Sequence, residues 1–296
     1  MVKKVRMERA DRPGCLTFRQ GFLTEDPFAA AYGALLRDVF GNAPPRFRNE
    51  HPAWVPFGYF AADGTCVAGL ETAVLGLFAD GAPAEATAIR LAGVAEAYRG
   101  RGLFRNLMIR ALGWCSAQSA GPTLLYTEDH DLYGRFGFQP LAQHAFVGPP
   151  PRPSPVRAAK IIDLAQAEPL LDRLNATRAP ISNVCAVLNA SDLLRTNLRG
   201  DHDVELAYAA DLDALIVHEH EEDALAIVDI VARAIPSMAQ IVGALRSQAS
   251  RVRTLFPPDR LAWHGVPEPD DTGLMIRGAV PAAMRRPFML PPTTSF

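Results

Sequence analysis

No run of apolar residues approaches the ~18 that a membrane-spanning helix requires, so the sequence offers nothing that crosses a bilayer as a helix. The N-terminus, Met1-Val2-Lys3-Lys4-Val5-Arg6, is basic but is followed by no apolar stretch, so it does not read as a secretory leader. Cysteine is scarce: Cys15, Cys66, Cys115 and Cys185 stand far apart, with no Cys-x-x-Cys and no Cys/His pairing. That argues against a disulfide framework or a zinc site, and it fits a reducing, cytoplasmic setting. An excess of charge of one sign is missing too, since the net charge is −2, so overall basicity points to no nucleic-acid partner. What remains is a soluble globular composition, with enough chain at 296 residues for one large or two ordinary domains.

The most informative stretch runs from Ile89 to Trp114. Ile89 to Val94 alternates in the manner of a strand, while Leu103, Leu107, Ala111 and Cys115, with Phe104, Met108 and Leu112, recur at helical spacing. Cys115 falls on the apolar face of that helix, where it reads as a small buried thiol. Between strand and helix lies Arg99-Gly100-Arg101-Gly102. The first turn of a helix has backbone N–H groups without intrahelical partners and carries partial positive charge. Glycines let the backbone approach a phosphate closely, and the two arginines add full charges. An ordinary strand-to-helix connection with solvated arginines is the competing reading.

After Gly121-Pro122, Thr123 to Thr127 reads as a second buried strand, followed by Glu128-Asp129-His130-Asp131-Leu132-Tyr133-Gly134-Arg135-Phe136-Gly137-Phe138. The order strand, Arg-Gly-x-Gly, helix, strand, Tyr-x-x-Phe-Gly-Phe resembles the GNAT superfamily of acyl-CoA-dependent N-acyltransferases, and within it the Eis-type (enhanced intracellular survival) branch. The resemblance implies an α/β (α+β) fold with a mixed central sheet. It places Val94, Ala95, Arg99, Gly100, Arg101, Gly102, Leu103 and Phe104 in the acyl-CoA loop. It also puts Tyr133 where the family's tyrosine protonates the coenzyme A sulfur, with packing beneath the loop as the alternative role. The loop departs from the superfamily pattern three residues before the first glycine, where Ala97 replaces the usual Gln or Arg.

Along the rest of the chain, Pro27 opens a helix carrying Phe28, Tyr32, Leu35, Leu36, Val39 and Phe40, closed by Gly41-Asn42. Phe57 to Ala61 and Cys66 to Phe78 read as strands joined at Asp63-Gly64. The intervening segment Asn42 to Pro56 is rich in proline and aromatics and borders the acceptor pocket in the resembled fold. Glu50, His51 and Trp54 are therefore substrate-binding candidates, against simple packing of Trp54 and solvation of His51. Glu128 is the fourth candidate.

Gly148 to Pro155 contains five prolines and reads as a semi-rigid connector. The expected division is a catalytic domain over 1–147, a linker over 148–155 and a degenerate GNAT-like domain over 156–296. Within the latter, Glu168 to Thr177 is expected as a helix. Val204 to Tyr208, Ala214 to His218 and Leu225 to Val231 are expected as strands, Pro236 as the start of a helix, and Val252 to Phe256 as a further strand. Arg233-Ala234-Ile235-Pro236-Ser237 lacks the glycine pair, so no acyl-CoA is expected there. His218 and His220 among acidic residues read as a charged hairpin tip and not a metal site, because no distant third ligand stands out.

Acyl transfer to an amine needs a polarised carbonyl, a proton for the thiolate and a base for the amine. The resemblance assigns the carbonyl to a strand N–H near Val94 or Ala95. Many family members place a glutamate on the strand before the loop, but Arg90, Leu91 and Ala92 stand there. The substitutes are Glu128 or Asp129, His51, the terminal carboxylate of Phe296, or a water relay with no protein base. The reading is an N-acetyltransferase that moves an acetyl group from acetyl-CoA to a small-molecule or peptide amine by direct attack, with no metal. The alternatives are a non-catalytic acyl-CoA-binding regulatory module, or transfer to a hydroxyl. The apolar tail and second domain offer surface for a homo-oligomer.

Overall fold

The fold is described from a computed structural model covering residues 16–24, 27–41, 54–200 and 203–296. Contacts along the chain separate it into two compact groups, Met1–Ala73 with Ile89–Ala117, and Val74–Ala88 with Gln118–Phe296. Among the described residues no helix is long and apolar enough to cross a membrane.

In the first group, β1 (Thr17–Gln20) pairs antiparallel with β2 (Trp54–Phe60), and β2 with β3 (Cys66–Ala79). The helix α1 (Phe28–Phe40) buries Tyr32, Leu35 and Leu36 and ends on Gly41 in the left-handed region, as the sequence spacing anticipates. Its core is completed by Phe22, Phe60 and Cys66. The ring of Phe22 meets those of Tyr32 and Phe60 edge-on, at centroid distances of 5.7 and 5.1 Å. Strand β4 (Ala82–Val94) is longer than its sequence signal and contains Leu91 at φ +52°, a conformation that costs a non-glycine residue roughly 1–2 kcal/mol. It leads into α2 (Leu103–Gln118), whose buried residues Leu107, Met108, Ala111 and Cys115 are the stripe expected from the spacing. The long strands β3 and β4 each give one half to this group and the other half to the second.

In the second group, β5 (Thr123–Tyr126) lies parallel to the middle of β4, with Thr87 opposite Thr123 and their hydroxyls hydrogen bonded at 2.9 Å. The short helix α3 (His130–Gly134) precedes β6 (Gln139–Pro140) and β7 (Gln143–Gly148). Then follow β8 (Lys160–Ile162), α4 (Leu164–Asn175), β9 (Cys185–Leu188), α5 (Ser191–Gly200), β10 (Glu205–Ala209), β11 (Ala214–His220) and β12 (Ala224–Ala232). The group closes with α6 (Met238–Leu245), β13 (Arg251–Thr254), β14 (Val266–Asp270) and β15 (Leu274–Arg277).

A seven-stranded mixed sheet runs β14-β7-β13-β12-β11-β10-β8, with only β12 and β13 parallel. Both of its faces are buried. On β11, Ala214 and Ile216 join the cluster that contains Ile241 and Val242 of α6, while Leu215 and Val217 join the one that contains Leu171 of α4 and Leu194 of α5. Strand β14 carries Pro267 and Pro269 and accordingly sits at the edge.

Helix α4 begins before the predicted Glu168, because Asp163 caps it by accepting from the Gln166 amide at 2.8 Å. Pro169 lies inside the helix. The turn between β11 and β12 is 221–223, so His218 is a buried strand residue and not part of a tip.

The C-terminal segment is fixed by a buried charge. Asp229 on β12 is inaccessible to solvent. It accepts from Arg178 at 2.5 Å, from the Thr293 hydroxyl at 2.5 Å and from the Ile230 amide at 2.7 Å. Asn197 of α5 donates to the carbonyls of Pro292, Thr293 and Ser295 at 2.9–3.2 Å. Asp229→Ala would leave Arg178 unpaired and is expected to cost about 3–5 kcal/mol in urea unfolding. Asn197→Ala is expected to leave global stability nearly intact but to speed carboxypeptidase trimming of the last residues. Equal trimming in Asn197→Ala and the parent would refute this account of the tail.

Candidate functional site

The turn from β4 to α2 is a folded structure of its own. A short 3-10 helix, Glu96–Tyr98, leads into it. Gly100 and Gly102 stand at φ +76° and +77°, and a Cβ built on either would meet nothing within 4 Å. Their backbone is thus left-handed and open to approach from outside. Gly102 accepts from the Asn106 amide at 3.0 Å, which makes it the N-cap of α2, and it has no side-chain oxygen to occupy the first-turn N–H groups. The two arginines pin the turn: Arg99 Nε donates to the Val94 carbonyl at 3.2 Å and an Arg101 guanidinium nitrogen to the Ala97 carbonyl at 2.9 Å. Arg101 also lies over the ring of Tyr98. At the helix start, Asn106 Oδ1 accepts from the Tyr59 hydroxyl at 2.5 Å and from Arg110 at 2.7 Å, tying α2 to β2. The Ala95 amide donates to the Val67 carbonyl at 2.9 Å.

One buried charge pair in this group escaped the sequence reading. Glu71 on β3 is fully buried, and its Oε2 accepts from Arg90 Nε of β4 at 2.7 Å, while among the described residues its Oε1 has no hydrogen-bond partner. The guanidinium of Arg90 stacks 3.7 Å from the ring centroid of Trp54, at the start of β2. Burial pushes the Glu71 carboxyl upward and Arg90 opposes the shift. The signal was present in the sequence, since Glu71 is the single charged residue among Cys66 to Phe78 and Arg90 the single one among Ile89 to Val94.

The second group holds the other candidates. Asp129 caps α3 by accepting from the Leu132 amide at 2.9 Å, and Tyr133 on that helix packs edge-on to Phe138 at 6.2 Å. Burial, followed by the nearby Asp129 charge, pushes the Tyr133 phenol up to about 12, so it keeps its proton throughout the neutral range. Glu128 is exposed. The ring of Phe296 meets Tyr126, the last residue of β5, at 5.1 Å. Burial raises the Tyr126 hydroxyl well above its usual range, with Ser295 beside it. Phe296 thus packs at the C-terminal end of β5, and Glu128 and Tyr133 follow that strand in the chain. Glu50 and His51 lie outside the described residues.

The comparable turn from β12 into α6 is closed. The Ser237 and Gln240 side chains satisfy each other's backbone amides in a capping box, and the Met238 amide donates to the Leu261 carbonyl at 2.7 Å. This gives a physical reason for expecting no phosphate there.

By sequence, residues 23–141, which include the open glycine turn, match the acetyltransferase (GNAT) domain family. Similar solved structures include a probable N-acyltransferase from Enterococcus faecalis, at 12% identity over 89% of this chain and 72% of that one, with a TM-score of 0.59. Eis1 from Mycobacterium abscessus is 15% identical over 88% of this chain and 73% of its own, with a TM-score of 0.58. A GCN5-related N-acetyltransferase from Kribbella flavida is 17% identical over 88% and 72%, with a TM-score of 0.53. At these identities the likeness is one of fold. A search of curated proteins found no match by sequence.

Removing one member of the Glu71–Arg90 pair strands the other in the sheet. Glu71→Leu and Arg90→Leu are each expected to destabilise by about 3–5 kcal/mol, and the double variant Glu71→Leu/Arg90→Leu by less than the sum. Urea unfolding of the four proteins measures this, and strictly additive losses would show that the two side chains are not coupled.

Proposed function

We propose that the protein is an acyl-CoA-dependent N-acyltransferase that moves an acetyl group from acetyl-CoA to a primary amine of a small molecule or peptide by direct attack. The observation that carries this reading is the turn at Gly100 and Gly102, open to approach and leading to a helix whose N-cap, Gly102, has no side chain. The pyrophosphate would lie on the first-turn amides of Leu103 and Phe104, with Arg99 and Arg101 beside it. The thioester carbonyl would accept from the Val94 amide, since the Ala95 amide is already committed to Val67. Tyr133 would donate its proton to the departing thiolate, a role that its raised pKa suits because the group stays protonated at working pH.

The proposed base is the terminal carboxylate of Phe296, supported by a chain end held through Asn197 and Asp229. Trp54 and Glu128, with Glu50 and His51, are proposed to line the acceptor side. The division into a catalytic 1–147, a connector at 148–155 and a companion 156–296 belongs to the same proposal. In the companion, β10-β11-β12-α6-β13 repeats the order of β2-β3-β4-α2-β5, parallel pair included, which supports a degenerate GNAT-like unit. The cysteines, scattered in the sequence without a Cys-x-x-Cys motif, support a cytoplasmic setting.

Thermal unfolding tests the donor site. Acetyl-CoA at about a hundred times its dissociation constant should stabilise the wild type by roughly 2.7 kcal/mol and leave Gly102→Trp unmoved. No rise in the wild type would remove the proposal. Binding without turnover on any amine would favour an acyl-CoA-dependent regulatory module instead.

Steady-state kinetics separates the chemical roles. Tyr133→Phe is expected to lower kcat roughly 100-fold while acetyl-CoA binding is unchanged. Because the Tyr133 pKa moves up, its deprotonation should contribute an alkaline fall in kcat only near pH 12. Deleting Phe296, or extending the chain beyond it, should each lower kcat, and unchanged turnover in both would eliminate the terminal carboxylate.

A further inference from the structure

His218 is the most conspicuous polar group that the acyltransferase reading leaves unused. Its side chain is 1% exposed, and among the described residues neither ring nitrogen has a hydrogen-bond partner. A buried imidazole left so loses the hydration of both nitrogens without compensation, and such an orphan calls for an explanation. Two other ligand-type side chains stand beside it. Residues 218 and 220 of one strand share a face, and the two imidazole rings are 5.2 Å apart at an interplanar angle of 84°. Glu205 is the direct cross-strand partner of His218 on β10, and its Oε2 lies 3.8 Å from the Nε2 of each histidine. These distances are too long for hydrogen bonds.

One donor atom from each of the three residues lies within 4.8 Å of the others. A tetrahedral zinc ion with bonds of about 2 Å holds its donors roughly 3.3 Å apart, so side-chain rotation must draw the donors together by at most about 1.5 Å to close the set. His220 and Glu205 are half exposed and free to make that adjustment, whereas His218 is held by the sheet. Two imidazoles and a carboxylate select a borderline transition metal over calcium or magnesium, which prefer oxygen.

We propose that Glu205, His218 and His220 form a binding site for a divalent transition metal, zinc foremost, that clamps β10 to β11 and keeps one coordination position for water. The sequence hid this set because the third ligand comes from the neighbouring strand, at a position fixed only by the register of β10 on β11. The site is independent of the acyl-CoA turn in both residues and chemistry.

The test uses the full chain, stripped of metal with a chelator and carrying no histidine tag. Titration with zinc should show one saturable equivalent, and cobalt in its place should give the visible absorption of a low-coordinate His/carboxylate site. Zinc should also raise the midpoint of thermal unfolding. Glu205→Gln and His220→Ala alter half-exposed side chains that the fold does not need. Each should weaken zinc binding by more than the roughly tenfold to hundredfold that losing a hydrogen-bond partner of a metal ligand costs, and should abolish the cobalt spectrum. His218→Ala should do the same, and if it fails to fold the two exposed-ligand variants decide the question without it. Absence of a saturable equivalent in the parent chain overturns the proposal, and so does equal affinity in the parent and both exposed-ligand variants.

Discussion

A helix begins with backbone amides that have no partner inside it, and something outside must meet them. The two strand-to-helix junctions of this chain treat that requirement in opposite ways. At α6 the protein meets it internally, with Ser237, Gln240 and the Leu261 carbonyl. At α2 the cap is Gly102, whose carbonyl serves the helix but which has no side chain to offer. The surrounding residues act to hold that turn in place: Arg99 and Arg101 bind loop carbonyls, and Tyr59 with Arg110 fixes Asn106. Positive potential is thereby concentrated at a rigid, accessible turn, which is the requirement for receiving a polyphosphate.

Strand β4 bears the structural consequences of ending in such a turn. Leu91 adopts a left-handed conformation just before it, and the Tyr32 hydroxyl points at the Leu91 carbonyl at 3.4 Å. One residue earlier, Arg90 enters the sheet against Glu71. Two charges in a sheet interior lose hydration that a single contact does not restore, and the orphaned Oε1 of Glu71 shows that the compensation is incomplete. The face of Trp54 supplies a further attraction for the guanidinium. Three strands are thus registered by one cation, a more specific linkage than apolar packing, which tolerates sliding.

The sequence exposed whatever rested on local periodicity. Helices α1 and α2, the strands on either side of α2 and the succession β10 to β13 follow from spacing and turn residues, because one apolar face is enough to define each. The parts it missed are of three kinds. Strand β9 is four residues long, and β14 carries two prolines that suit only an edge, so neither shows the alternation of a strand. Helix α5 keeps Leu193, Leu194 and Leu198 on one face but is otherwise polar. Paired groups such as Glu71 with Arg90, and Glu205 with His218, depend on register between strands, which no single segment encodes. Even so, a lone charge inside an apolar strand was visible in both Glu71 and Arg90, and it is the signal from which the pair could have been sought.

The segment 291–296 shows most clearly how local order depends on non-local contacts. An extended apolar segment has few local hydrogen bonds to hold it, so its order must come from elsewhere in the fold. Here the last residues are docked by a helix asparagine that reads three successive-turn carbonyls and by a buried aspartate that binds Thr293, while the final ring packs on Tyr126. Asp229 in turn is neutralised by Arg178, so the order of the tail traces back to a charge pair more than 60 residues earlier in the chain. The composition of the tail announces only that it is extended and apolar. Its fixed placement comes from Asn197 and Asp229, residues that bear no mark of that role in the sequence.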